Sequence, residues 1–277
     1  MIFPRCFGVL GDPVAHSRSP LMHMAAFEAL GLPYRYLPFR VAPDRLEQAL
    51  RGAAALGFGG LNVTVPHKQA ALALCDELSP TAERIAAVNT ICLREGAILG
   101  HNTDARGLLD ALAELPGPPP TQATVLGSGG ASLAVVDALL HGVPGLEITW
   151  VSRAPGQVVV LASMRERVRV IGWDQLGAPR GDLLINTTTV GLAGGPTSFP
   201  IALELGELAP RAKLIDIVYS SPGAPRTALL ERAAAAGLVV QDGLAMLLWQ
   251  GVRALELWLE QPIEPEVVAK MRAALTG

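Results

Sequence analysis

A chain of 277 residues, half of them hydrophobic and 17% charged, carries enough apolar material for more than one packed core, which excludes a disordered protein. The formal net charge of −3, with no run of Lys/Arg interleaved with aromatics, excludes a basic nucleic-acid-binding surface; Arg165, Arg167 and Arg169 read as a solvated face. No apolar run reaches membrane-spanning length and Met1-Ile2-Phe3-Pro4-Arg5 lacks a signal-peptide layout, so a cytoplasmic protein without membrane contact is expected.

Short apolar strands alternate with helical stretches through the first hundred residues. The pattern predicts a strand over 6–10, a helix over 20–30, a strand over 34–40 and a helix over 43–56. A strand over 60–65, a helix over 69–78 and two strands over 87–93 and 97–101, joined by a turn at 94–96, follow. Such alternation implies a largely parallel sheet covered on both faces. Cys6, Cys75 and Cys92 lack metal-ligand spacing and are expected as reduced core thiols, with no metal site.

A helix over 104–115 runs into Pro116-Gly117-Pro118-Pro119-Pro120, a stiff connector that cannot continue it. A second α/β series then begins, with strands over 123–126, 148–151, 183–186 and 213–218, and a last apolar helix over 243–258. Two domains are expected, 1–103 with 244–277 and 104–243, the final helix returning to the first.

Strand, glycine turn and helix come in the order a dinucleotide site needs at Thr124-Val125-Leu126-Gly127-Ser128-Gly129-Gly130-Ala131-Ser132. Gly127 permits the tight turn, Gly129 lets backbone approach a pyrophosphate, and the amides opening the helix from Ala131 face its charge. At the end of the next strand, where NAD-binding folds carry an acid for the ribose 2′-hydroxyl, the chain offers Ser152-Arg153. A hydroxyl and a guanidinium there suit a 2′-phosphate, so NADP is expected over NAD.

The chain has three lysines, Lys68, Lys213 and Lys270, and arginine elsewhere. Lysine can give up and regain a proton where guanidinium cannot, and Lys68 sits where a strand leaves the first sheet. Lys68 is therefore the leading candidate for a proton donor.

Several separated motifs resemble those of the shikimate dehydrogenases. They are Gly8 to Pro20 with its His16-Ser17-Arg18-Ser19-Pro20, the run Asn62-Val63-Thr64-Val65-Pro66-His67-Lys68, Ala87-Val88-Asn89-Thr90, and Asn102-Thr103-Asp104-Ala105-Arg106-Gly107. The glycine loop, Asp216-Ile217-Val218-Tyr219 and Gln241 to Gln250 complete the set. The resemblance implies an α/β protein with an N-terminal substrate domain and a Rossmann-like, doubly wound NADP domain. It implies NADPH-dependent, reversible reduction of 3-dehydroshikimate to shikimate, with Lys68 as acid or base beside Asp104. Ser17 and Ser19 would take the substrate carboxylate, and Asn62, Thr64, Asn89, Tyr219 and Gln250 the rest of the ring. Gly127, Ser128, Gly129, Gly130, Ala131, Ser152, Arg153, Thr188, Ile217 and Gly243 would hold NADP. Leu133, where many relatives carry arginine, removes one possible cofactor contact. The chain is expected as a monomer or homodimer. A quinate/shikimate dehydrogenase of broader specificity is one alternative; a non-catalytic sensor of NADPH or a metabolite is another, and it would not need both Lys68 and Asp104.

Overall fold

The computed structural model describes residues 3–160, 164–192, 194–219 and 226–277. The chain divides into two compact units, Met1–Gly107 with Leu247–Gly277, and Leu108–Met246.

The first unit is built on strands β1 (Cys6–Gly11), β2 (Arg35–Arg40), β3 (Gly60–Val63), β4 (Glu77–Leu78), β5 (Thr90–Arg94) and β6 (Ala97–His101). Their order is β2-β1-β3-β5-β6-β4. β5 alone runs against the rest, because Glu95 and Gly96, both at positive φ, fold it onto β6 as a hairpin. Helices α1 (Ser19–Ala29), α2 (Leu46–Ala55) and α3 (Pro80–Ile85) lie between strands, and α4 (Asp104–Ala113) follows β6.

The expected helix over 69–78 is replaced by a 3-10 helix, Ala70–Leu74, and the short edge strand β4. Asp76 explains the change: its amide donates to the Ile98 carbonyl at 2.8 Å and its carboxylate accepts from the Ile98 amide at 2.7 Å. A residue so engaged by a neighbouring strand cannot stay in a helix. The strand expected over 60–65 ends at Val63, so Lys68 stands in the turn beyond it. Helix α3 is opened by Ser79, whose hydroxyl accepts from the Ala82 amide, with Pro80 next.

In the second unit, β7 (Gln122–Leu126), α5 (Gly130–Gly142), β8 (Glu147–Ser152), β9 (Val168–Gly172), α6 (Trp173–Leu176) and β10 (Gly181–Asn186) come first. β11 (Leu208–Asp216), α7 (Ala228–Ala235) and β12 (Val239–Gln241) complete it. All neighbours in the order β12-β11-β10-β7-β8-β9 are parallel, the arrangement of a doubly wound dinucleotide-binding sheet. The order reverses between β7 and β10, and Gly127 follows β7 there. Arg165 and Arg169 are exposed, but Arg167 departs from the expected solvated face by donating to the Leu140 carbonyl.

Helix α8 (Gly243–Leu259) and a further helix, α9 (Pro265–Thr276), end the chain. Phe7 of β1 and Phe27 of α1 share a core with Trp258 of α8 and Met271 and Leu275 of α9, so the last helices return to the first unit. The chain passes between units inside α4 and α8, and the proline-rich stretch falls within the second unit. No helix among the described residues is long and apolar enough to cross a membrane.

Candidate active site

Lys68 and Asp104, distant in sequence, meet in the first unit: Lys68 Nζ donates to Asp104 Oδ2 at 2.7 Å. Their side chains keep 24% and 13% exposure, so the pair is sheltered yet open to a ligand. Both ends are held from behind. The Lys68 carbonyl accepts from the Val88 amide at 2.8 Å, tying the turn to the segment before β5. The Asn102 carboxamide oxygen accepts from the amides of Asp104 and Ala105 at 3.1 and 3.4 Å, which opens α4 and sets Asp104 in its first turn.

Beside this pair lies a connected set of buried polar side chains. Asn89 Oδ1 accepts from the Thr103 amide, the Thr103 hydroxyl and the Thr90 hydroxyl at 2.7, 3.1 and 2.9 Å. Three donors on one oxygen fix the carboxamide's orientation. Its NH2 group has no hydrogen-bond partner among the described residues and is left to donate. Asn62 is used differently: its NH2 donates to the Asn89 carbonyl at 3.2 Å and to Thr90 Oγ1 at 3.0 Å, and its oxygen accepts from the Tyr36 hydroxyl at 2.7 Å. Only the second lone pair of that oxygen is left for a ligand.

Tyr36, which the sequence did not single out, joins the first residue of α1 to β3. Burial raises its pKa well above the usual value and a hydrogen bond with the Ser19 side chain lowers it, so the phenol stays protonated. Ser19 is buried, and its amide donates to Ser17 Oγ at 3.3 Å. The Thr64 hydroxyl makes no hydrogen bond among the described residues, while its backbone is held by Leu10 and His67. Gln250 donates to the Leu247 carbonyl at 2.7 Å and packs on α4 at Gly107, where an added Cβ would stand 2.6 Å from its amide nitrogen. Ser17, Ser19, Asn62, Asn89, Lys68 and Asp104 thus hang on one framework within the first unit.

The second unit's glycine turn is built by keeping side chains away. Gly127 has φ +100°, and a Cβ there would stand 2.8 Å from Thr188 Cγ2. Trp150, also missed in the sequence, donates its indole N–H to the Gly127 carbonyl at 2.7 Å, and Ser128 and Ser152 hydroxyls meet at 2.7 Å. At Gly129 and Gly130 a Cβ would meet nothing within 4 Å. That bare backbone at the start of α5, with Ala131 next, fits a pyrophosphate. Arg153 follows β8, exposed, with no acidic neighbour in Val151-Ser152-Arg153-Ala154, which fits a 2′-phosphate. The Ser152 side chain is committed to Ser128 and to the Ala154 amide, so it braces the turn.

Beyond the switch point, Thr188 donates through both amide and hydroxyl to Asn186 Oδ1, at 3.0 and 2.6 Å. Asn186 donates in turn to the buried Asp216 at 2.8 Å, and Thr227 donates to the other carboxylate oxygen at 2.6 Å. Burial raises the Asp216 pKa; its hydrogen bonds from Thr227, Asn186 and Val218 oppose this. Gly243 lies against Ile217, whose carbonyl oxygen would stand 2.0 Å from an added Cβ. Tyr219 is half-buried after Val218; Ser220-Ser221-Pro222 lie outside the described residues.

The family described as "Shikimate dehydrogenase substrate binding domain" matches residues 9–91. The shikimate dehydrogenase (NADP(+)) of Citrifermentans bemidjiense is 45% identical over 264 residues, covering 91% of this chain and 88% of that protein. The crystal structure of shikimate 5-dehydrogenase from Thermus thermophilus, in complex with NADP(H) and shikimate, superposes with a TM-score of 0.81 at 40% identity, covering 98% of this chain and 100% of that one. The ligand-free 5-ketofructose reductase of Gluconobacter sp. strain CHM43 superposes at 0.85 with 31% identity, covering 99% of each chain. On sequence and fold together, the chain belongs to the shikimate dehydrogenase family.

Proposed function

We propose that this chain catalyses the reversible, NADPH-dependent reduction of 3-dehydroshikimate to shikimate in aromatic amino-acid biosynthesis. The observation that carries the reading is the 2.7 Å contact between Lys68 and Asp104, framed by neutral polar side chains. NADPH, when bound, supplies the hydride for the ring carbonyl. As that carbonyl is reduced, negative charge grows on its oxygen and Lys68, as an ammonium, donates the proton that makes the hydroxyl. Asp104 directs the ammonium; in the reverse direction Lys68 takes the proton back.

Ser17 offers its hydroxyl at the opening of α1 for the ring carboxylate, and Ser19 joins it by turning its hydroxyl from the Tyr36 oxygen to the ligand. Asn89 donates through its free NH2 to a ring oxygen, and Asn62, Thr64, Tyr219 and Gln250 complete the set around the hydroxyls. Gly127, Ser128, Gly129, Gly130 and Ala131 receive the pyrophosphate, and Arg153 the 2′-phosphate. Thr188, Ile217 and Gly243 line the nicotinamide half. In this reading the first unit holds substrate and the second NADP. We further propose cytoplasmic location, supported by the free cysteines, and a monomer or homodimer.

The test is absorbance of reduced nicotinamide when purified protein meets shikimate and NADP. Growth of the signal is expected, with NAD a poor substitute. No reduction of NADP by shikimate, or turnover confined to the 5-ketofructose couple, overturns the substrate.

A further inference from the structure

Arg18 stands between the two serines, yet its side chain leaves the loop. It is 7% exposed, and its guanidinium Nη2 donates to the carbonyl of Leu275 in the last turn of α9. The last carbonyls of a helix have no intrahelical donor, and a buried one needs a partner; Leu275 is 1% exposed. A cation at that end also suits the helix dipole. Met22, Ala26 and Phe27 of α1 and Val267, Met271 and Leu275 of α9 form one apolar core, so α9 is a firm support.

The loop's entry is tied to Val65, whose carbonyl accepts from the Asp12 amide at 3.1 Å, and the Ser19 side chain meets Tyr36; the remaining backbone ties around Arg18 are local. The Ser17 amide donates to Val14, the Ser19 amide to the Ser17 hydroxyl, and the Leu21 amide to Arg18. The Arg18–Leu275 bond joins positions 257 apart in sequence. No carboxylate pairs with Arg18 among the described residues, and its Nε has no partner there, so the guanidinium is spent on one carbonyl.

We infer that Arg18 is a positioning residue for substrate. By clamping the end of α9 it holds Ser17 and Ser19 at the spacing and direction that a ring carboxylate needs. The inference rests on the proposed reading of those serines. It requires neither contact between Arg18 and substrate nor any part in proton transfer.

The experiment compares wild type with Arg18→Met, which keeps the apolar stem, and Arg18→Lys, which restores a cationic donor. With the serines no longer held in place, KM for shikimate should rise about ten-fold or more in Arg18→Met, on the order of 1.4 kcal/mol of binding. KM for NADP and kcat should stay within about two-fold, and Arg18→Lys should recover part of the loss. Shikimate KM within two-fold of wild type in Arg18→Met overturns the inference. So does a parallel rise in both KM values, or no recovery with lysine. If Arg18→Met does not bind NADPH by fluorescence, the same split is read in Arg18→Lys, where an intermediate shikimate KM supports the inference and an unchanged one overturns it. Wild type that turns over no shikimate instead refutes the function itself, so the two failures are distinct.

Discussion

Asn89 is ringed by donors that pin its carboxamide, whereas a side chain begun at Gly129 would meet nothing within 4 Å beyond its own chain neighbours. On the proposed reading, the two positions are two ways of preparing a site. A ring bearing several hydroxyls is read by side chains, and each must be oriented by a neighbour before the ligand arrives. A pyrophosphate is read by main-chain amides, which the helix already orients, and the sequence has only to keep side chains out of the way. Substitution should therefore do opposite things in the two units: removal harms the first site, and addition harms the second.

The largest effect expected is in the first unit. Lys68→Ala should lower kcat by about two to four orders of magnitude while leaving NADPH affinity by fluorescence titration within two-fold. Unchanged turnover would remove Lys68 from the reaction. Next comes Asn89→Ala, which deletes the free NH2 and leaves the Thr103 amide without its acceptor. A loss on the order of 10- to 100-fold in kcat/KM for shikimate, with a lowered melting temperature, is expected. A variant that melts lower yet keeps full kcat/KM would make Asn89 structural only.

Gly129→Ala tests the other half of the comparison. Its φ of −78° suits alanine and the added methyl meets nothing, so the melting temperature should not move. KM for NADP should rise roughly ten-fold, as expected where a methyl blocks close approach of a ligand to main chain. Equal NADP affinity in variant and wild type would show that the open space is not the pyrophosphate cradle.

The smallest effect near neutral pH concerns His23, fully buried, stacked 4.4 Å from Tyr36, with neither ring nitrogen hydrogen-bonded among the described residues. Burial lowers its pKa from 6.5 to about 3. Between those values the unfolded chain binds the extra proton, so this group's contribution to stability is whole above pH 6.5 and declines as pH falls toward 3. The loss is below about 1 kcal/mol at pH 6 and steepens toward about 1.4 kcal/mol per pH unit. Denaturant midpoints measured from pH 7 to 4 should fall less steeply in His23→Leu; identical slopes would exclude His23 as a source of acid sensitivity.

Much of this was legible in the chain. Lysine used three times in 277 residues made Lys68 stand out, and a glycine turn placed after an apolar strand could be located without coordinates. Lysine usage points to Lys68 and the family resemblance to Asp104, and the structure puts them in hydrogen-bonding contact. What stayed hidden depends on partners far away in sequence. Tyr36 looks like any inward residue of an edge strand until its hydroxyl is seen between Ser19 and Asn62. Asp76 sits in a run of good helix formers, and only β6 shows why the helix stops. Some signals are local: Ser79-Pro80 before α3 and Glu264-Pro265 before α9 are helix openings that apolar periodicity alone does not reveal.

The Tyr36 bridge has a consequence for how such a protein can diverge. A residue whose polar atoms are all taken by neighbours resists lone exchanges, because each one strands a buried partner. New ring specificities should then arise through paired replacements at Tyr36, Asn62 and Thr90, which a lineage rarely samples together. Coenzyme preference, if it hangs on the exposed Arg153 as proposed, lies one replacement away. Descendants of this chain would be expected to change electron donors more readily than to change diets.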